Sequence, residues 1–184
     1  MAVELPAPVR EAMGELVRDL ARCRADVRWV EEENFHLTLK FLGETPQPRL
    51  AAAAASLAEA GAGVSGFRLR AEGLRVFPDL RRARVLWVGV ADDSGRLSPL
   101  VQRLEAAFAR RGFAPERRPF RPHLTIGRVK RPTAALDRLA SLLDTHADFD
   151  AGQTRVDEVV VFASQLRPSG PVYQPLARAR LNGL

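Results

Sequence analysis

Apolar positions recur along this chain with two periods, and the switches between them predict most of its elements. Val9, Met13, Leu16, Val17 and Leu20 keep the three-and-four spacing of an amphipathic helix that starts near Pro6 and ends about Arg22. The MAVEL before it leaves room for a short strand only. Residues 27–30 read as a brief strand, EEEN as a polar connection, and residues 35–42 as a strand closed by Gly43. Pro46 and Pro48 precede RLAAAAASLAEAGAG, whose alanines favour a helix and whose glycines end it. Residues 67–77 and 84–90 follow as an antiparallel pair with the basic tip PDLRRA. Leu97, Leu100, Val101, Leu104 and Phe108 mark the next helix, between Gly95 and Gly112, and a further helical pattern starts at Pro132 with Ala135, Leu136, Leu139, Leu142 and Leu143 on one side. Residues 154–163 and 173–181 are strands about the turn RPSGP.

The order helix, strand, proline-led helix, strand, strand occurs twice. The helices from 8 and 97, the prolines at 46 and 132 and the strands near 84 and 172 are offset by 86 to 89 residues. A duplicated layout of this kind predicts an α+β fold with pseudo-twofold symmetry, two antiparallel sheets about a central cleft and helices on the outside. One domain over 1–184 would comprise two lobes, about 1–92 and 93–184, with the termini crossing over.

The duplication carries chemistry. His36-Leu37-Thr38-Leu39 and His123-Leu124-Thr125-Ile126 are the same motif 87 residues apart, and they hold two of only three histidines. In a strand, alternate side chains share a face, so each copy puts a histidine and a threonine on one side and two aliphatics on the other. A single such histidine is ordinarily a surface or core residue; two at equivalent positions point to one site. Near neutral pH one imidazole accepts a proton while a protonated one donates, as phosphodiester cleavage requires, and threonine hydroxyls are placed to hold the non-bridging oxygens. Metal binding is disfavoured because neither motif contains a carboxylate and no HExxH or CxxC occurs. His146, in DTHADFD, reads as an exposed residue at a helix end.

Composition changes this picture little. A chain of 184 residues, 46% hydrophobic and 27% charged, can bury a real core, and a lone Cys23 leaves no internal disulfide. With neither a leader-like N-terminus nor an apolar run near the 20 residues of a membrane span, a cytoplasmic monomer without membrane contact is expected. The net charge of +6 fits a polyanionic partner, but only Lys40 and Lys130 are lysines, and so strong an arginine bias equally fits compositional drift.

The paired HLTL and HLTI, with FLG after the first and RPFRP before the second, resemble the 2H phosphoesterase superfamily, and within it the RNA 2′,3′-cyclic phosphodiesterases long called 2′-5′ RNA ligases. The likeness extends through AVELPAPVREAM, RWVEEENFHLTLKFLGE, LRVFPDLRRARVLWVGV and ERRPFRPHLTIGRV. It implies a bilobal fold, no metal or nucleotide cofactor, and hydrolysis of an RNA-terminal 2′,3′-cyclic phosphate to a 2′-phosphate. It further implies His36 as proton donor, His123 as proton acceptor, and Thr38, Thr125 and Arg128 as phosphate ligands, with the two histidine roles exchangeable by symmetry. Ligation through a 5′-hydroxyl uses the same residues, and a non-catalytic RNA-binding module is the reading from another class. Strict alternation puts Arg128 opposite His123 unless the strand ends or bulges at Gly127. Phe120 and Tyr173, in loop-like flanks, are candidates to touch substrate, as is Arg121. Phe41 faces the core by parity, with base stacking as its other reading.

Overall fold

The computed structural model describes residues 1–131, 135–167 and 170–183. In chain order its strands and α-helices are β1 (Ala2–Glu4), α1 (Ala7–Ala21), β2 (Val27–Trp29), β3 (His36–Thr38), α2 (Leu50–Gly61), β4 (Phe67–Phe77), β5 (Val85–Ala91), α3 (Leu97–Arg110), β6 (His123–Val129), α4 (Ala135–Thr145), β7 (Asp150–Val156), β8 (Glu158–Arg167) and β9 (Gly170–Arg180). The expected α+β architecture is present as two antiparallel sheets, β3-β1-β8-β9 and β2-β6-β5-β4-β7. Both sheets draw strands from the two halves of the sequence: β1 and β3 join β8 and β9 in one, and β2, β4 and β5 join β6 and β7 in the other.

The apolar stripes read from the sequence are the faces that pack. Val9, Met13, Leu16 and Leu20 of α1 are buried, with a proline in its first turn where a missing N–H costs nothing. On α3, Leu97, Leu100, Val101, Leu104 and Phe108 are buried. Helix α2 packs on α3, β8 and β9, and α1 on β7, so each sheet has a helix against it and one continuous core runs through the molecule. Burying each of these large side chains contributes on the order of 2 kcal/mol. Among the described residues no helix is long and apolar enough to cross a membrane.

MAVEL forms the short strand for which it has room, and that strand lies inside its sheet between β3 and β8. Three details differ from expectation, each for a physical reason. The strand expected over 35–42 ends at Thr38, because β1, its only ladder partner among the described residues, runs out: Ala2 pairs with Thr38, and the Leu39 N–H donates to the Met1 carbonyl. Parity therefore fails beyond Thr38. Lys40 turns inward, 1% exposed, and its ammonium donates to both Glu105 oxygens (2.8 and 2.7 Å) and to the Ala114 carbonyl (2.9 Å), while Phe41 is 74% exposed rather than in the core. All three ammonium protons are used, which makes a buried lysine tolerable here.

The strand predicted over 154–163 is two strands. β7 pairs with β4, β8 pairs with β1 and β9, and the chain changes sheet at Asp157. A continuous apolar pattern does not reveal the crossing, since both segments bury valines (Val156, then Val159, Val160 and Val161). His146 is not a free surface residue: its Nε2 lies 2.7 Å from Asp19 Oδ2, tying the end of α4 to α1. The predicted helix start at Pro132 and the central residues of the RPSGP turn, Pro168 and Ser169, lie outside the described residues.

Candidate active site

The two motif strands come close to each other, β3 from the edge of one sheet and β6 from inside the other between β2 and β5, with Cα atoms within 8 Å. Their aliphatic residues Leu37, Leu124 and Ile126 are fully buried, and Leu37 and Leu124 line the same small internal space with Val3 and Leu69. Adjacent strands that turn one face into a common core present their other faces side by side. By parity His36 and Thr38 lie on the side of β3 away from this core, and His123 and Thr125 on the corresponding side of β6.

Each imidazole is held in the same way. His36 Nδ1 lies 2.8 Å from the Asn34 carbonyl and His123 Nδ1 lies 2.7 Å from the Arg121 carbonyl, in both cases the residue two before the histidine. A carbonyl only accepts, so each Nδ1 carries its proton, and Nε2 is the nitrogen left for chemistry. The surroundings differ. His36 is half-buried, with the Tyr173 ring edge-on at 4.8 Å and the Phe162 ring at 6.4 Å. Burial pushes its pKa below the ordinary histidine value, and the Asn34 carbonyl opposes that shift in part. His123 is exposed, with Trp87 edge-on at 5.9 Å.

Arg128 reaches the histidine face through a bulge. Thr125 pairs with Trp87 but Gly127 pairs with Leu86, so Ile126 and Gly127 together oppose one residue of β5, and Arg128 falls opposite Val85 with the parity of His123 restored. Glycine is needed at the bulge because a Cβ there would stand 2.8 Å from Val27 Cγ1 and 2.9 Å from Trp29 Cε3. On β5, Gly89 sits directly opposite His123, where a Cβ would stand 2.6 Å from the Glu72 carbonyl.

The profile of the 2′-5′ RNA ligase superfamily matches residues 2–167. The chain belongs to that superfamily. An RNA 2′,3′-cyclic phosphodiesterase of Methanothermobacter thermautotrophicus is 36% identical over 181 residues, covering 98% of this chain and 97% of that protein. TT0787 of Thermus thermophilus superposes with a TM-score of 0.83 at 28% identity, covering 99% of this chain and 96% of that one. E. coli LigT complexed with 3′-AMP superposes with a TM-score of 0.73 at 28% identity, covering 98% and 95%.

Two hollows flank the motifs of this 2′-5′ RNA ligase superfamily member. On the His36 side a hollow of about 320 Å³ is lined by Glu4, Arg10, Asn34, His36, Phe162 and Tyr173. Beside His123 a wider cleft of about 710 Å³ is lined by Glu72, Arg75, Trp87, Phe120, Arg121 and Asp150. Of the minor candidates, Phe120 and Arg121 line the wider cleft and Tyr173 touches His36, from strand β9 rather than from a loop. Phe41 lies in neither hollow. Sequence reading missed Trp87 and Phe162. Trp87 could have been found by parity, as the residue of β5 on the side away from buried Leu86 and Val88, whereas the position of Phe162 depends on the sheet crossing at Asp157. Among the described residues no three His, Cys, Asp or Glu side chains converge on a common point suited to a metal ion.

Proposed function

We propose that this chain hydrolyses RNA-terminal 2′,3′-cyclic phosphate to a 2′-phosphate, with His36 and His123 as an acid–base pair. The observation that carries the reading is the matched fixing of both imidazoles through Nδ1 on neighbouring strands β3 and β6, which leaves Nε2 of each histidine available for proton transfer. The neutral Nε2 of His123 takes a proton from water as its oxygen attacks phosphorus. The P–O3′ bond breaks, and protonated His36 gives its Nε2 proton to the departing O3′. Thr38 and Thr125 donate hydroxyl hydrogen bonds to the non-bridging oxygens, and Arg128 adds a charged contact, so negative charge is stabilised as it builds.

The lowered pKa of His36 bears on the donor role. An empty site favours neutral His36; a bound phosphodiester anion restores the imidazolium, since a nearby negative charge raises a histidine pKa. Donor competence is in this way tied to substrate binding. The family relationship supports both the substrate class and the reaction, the Methanothermobacter relative being named for it.

Incubating the protein with an oligoribonucleotide that ends in a 2′,3′-cyclic phosphate tests the proposal. The expected product is the 2′-phosphate end. With a 5′-hydroxyl strand present, a dominant 2′-5′ linked product would instead assign ligation to the site, and binding without turnover would overturn the catalytic reading.

A further inference from the structure

Next to the site, on the same face of the second sheet, two arginines stand directly opposite one another. Arg28 of β2 pairs in register with Arg128 of β6, both are exposed, and among the described residues neither guanidinium has a carboxylate or hydrogen-bond partner. Residues so paired have Cβ atoms about 5 Å apart, and like charges in that position destabilise a sheet. The nearest acidic residue along the strand, Asp26, is engaged by Arg131 at 3.6 Å. Across the sheet this row continues through Val85 and Phe77, which bring no negative charge. The row through His123 is different: it continues through Gly89 to Glu72, which pairs with Asp150. Arg70 contacts both carboxylates, at 3.9 and 3.4 Å, so the acidic pair is partly compensated, whereas Arg28 and Arg128 face one another with no anion between them.

Arg75 and Arg121 line the cleft shared with Glu72 and Asp150, whereas the Arg128–Arg28 row offers a polyanionic chain two guanidiniums with no carboxylate on either. We propose that Arg28 binds the phosphodiester preceding the terminal nucleotide, so that the RNA backbone leaves the histidines past Arg128 and Arg28 and away from Glu72 and Asp150. The uncompensated arginine pair is explained by a phosphate that completes it, a charge-assisted contact for which the planar guanidinium is suited. Arg28 is then a specificity residue: it acts on substrates that have a second phosphate and favours an oligonucleotide over a cyclic mononucleotide.

The inference rests on the phosphodiester reading of the site, and its test separates the two. Arg28→Gln is compared with wild type and with Arg22→Gln, which removes the same charge from the end of α1. First, kcat/KM is measured for a 2′,3′-cyclic mononucleotide and for a short oligonucleotide with the same end. The ratio of oligonucleotide to mononucleotide should fall about tenfold in Arg28→Gln and hold in Arg22→Gln. Second, binding of an oligonucleotide ending in a 2′-phosphate is followed by anisotropy across a salt series. Loss of one phosphate contact should reduce the slope of log affinity against log salt by about 0.7 in Arg28→Gln alone. An unchanged ratio and slope, or equal changes in both variants, overturns the role of Arg28. If wild type turns over neither substrate while the slope still drops, the hydrolase reading fails and the backbone contact stands.

Discussion

His36 and His123 lie in the same motif with the same backbone bond at Nδ1, yet their surroundings are unequal. His36 is packed against Tyr173 and Phe162 in a small hollow, and burial lowers its pKa. His123 is open, beside Trp87 at the mouth of a wider cleft, and its strand continues through a bulge to Arg128. The equivalent continuation after His36 breaks at Thr38, where Lys40 turns in to Glu105 and Phe41 turns out. The repeated motif supplies two identical side chains, and the packing around them makes one enclosed and one accessible. Such asymmetry lets a single reaction assign different roles to two copies of one side chain.

The comparison is broken most severely by removing either histidine. His36→Ala and His123→Ala should each lower kcat for a cyclic-phosphate end by about 10²–10⁴, measured by product formation, and a histidine whose loss left turnover intact would not belong to the pair. Thr38→Val and Thr125→Val remove one hydroxyl donor each with little change of shape, and each should lower kcat by about 10². Comparable losses from the two threonines would show that the phosphate is shared between strands; a loss from only one would confine it to that strand.

The structural half of the contrast is tested at the bulge. Gly127→Ala forces a Cβ against Val27 and Trp29 and should destabilise the fold by about 1–3 kcal/mol, read from chemical denaturation. At the enclosed histidine, Tyr173→Ala should move the His36 pKa back towards about 6.5, followed by NMR titration of the ring proton. The sign for stability follows from the same shift. Above about pH 6.5 the residue is neutral in both folded and unfolded chains; as pH falls the unfolded chain takes the proton first, so the wild-type fold loses stability between about 6.5 and the lowered folded value. His36→Asn should flatten that part of the stability curve. The smallest effect is expected at Phe41→Ser: with the ring outside the core, stability should change by less than about 0.5 kcal/mol.

The helices and the two motif strands were legible in the sequence because each rests on local periodicity that packing reinforces: Val9 to Leu20 on α1 and Leu97 to Phe108 on α3 are buried as their spacing predicts. The paired histidines and threonines were legible for the same reason, parity within a strand. What escaped depends on partners distant in sequence. The place of Phe41 follows from the length of β1, the sheet change at Asp157 from which strands β7 and β8 pair with, and the His146–Asp19 contact from the packing of α4 on α1. Arg128 is intermediate. Its glycine neighbour hinted at the bulge, but the side to which the bulge delivers the guanidinium is set by the register against β5.

The central claim, that two matched histidines do opposite things, is tested most directly by the pH dependence of the residual rate in His36→Ala and His123→Ala. Without the donor, His36→Ala should keep a rate that rises with pH to a plateau, while His123→Ala should keep one that falls as pH rises. The same limb lost in both variants, or the two limbs lost in the reverse assignment, would contradict the division of roles between the enclosed and the open histidine.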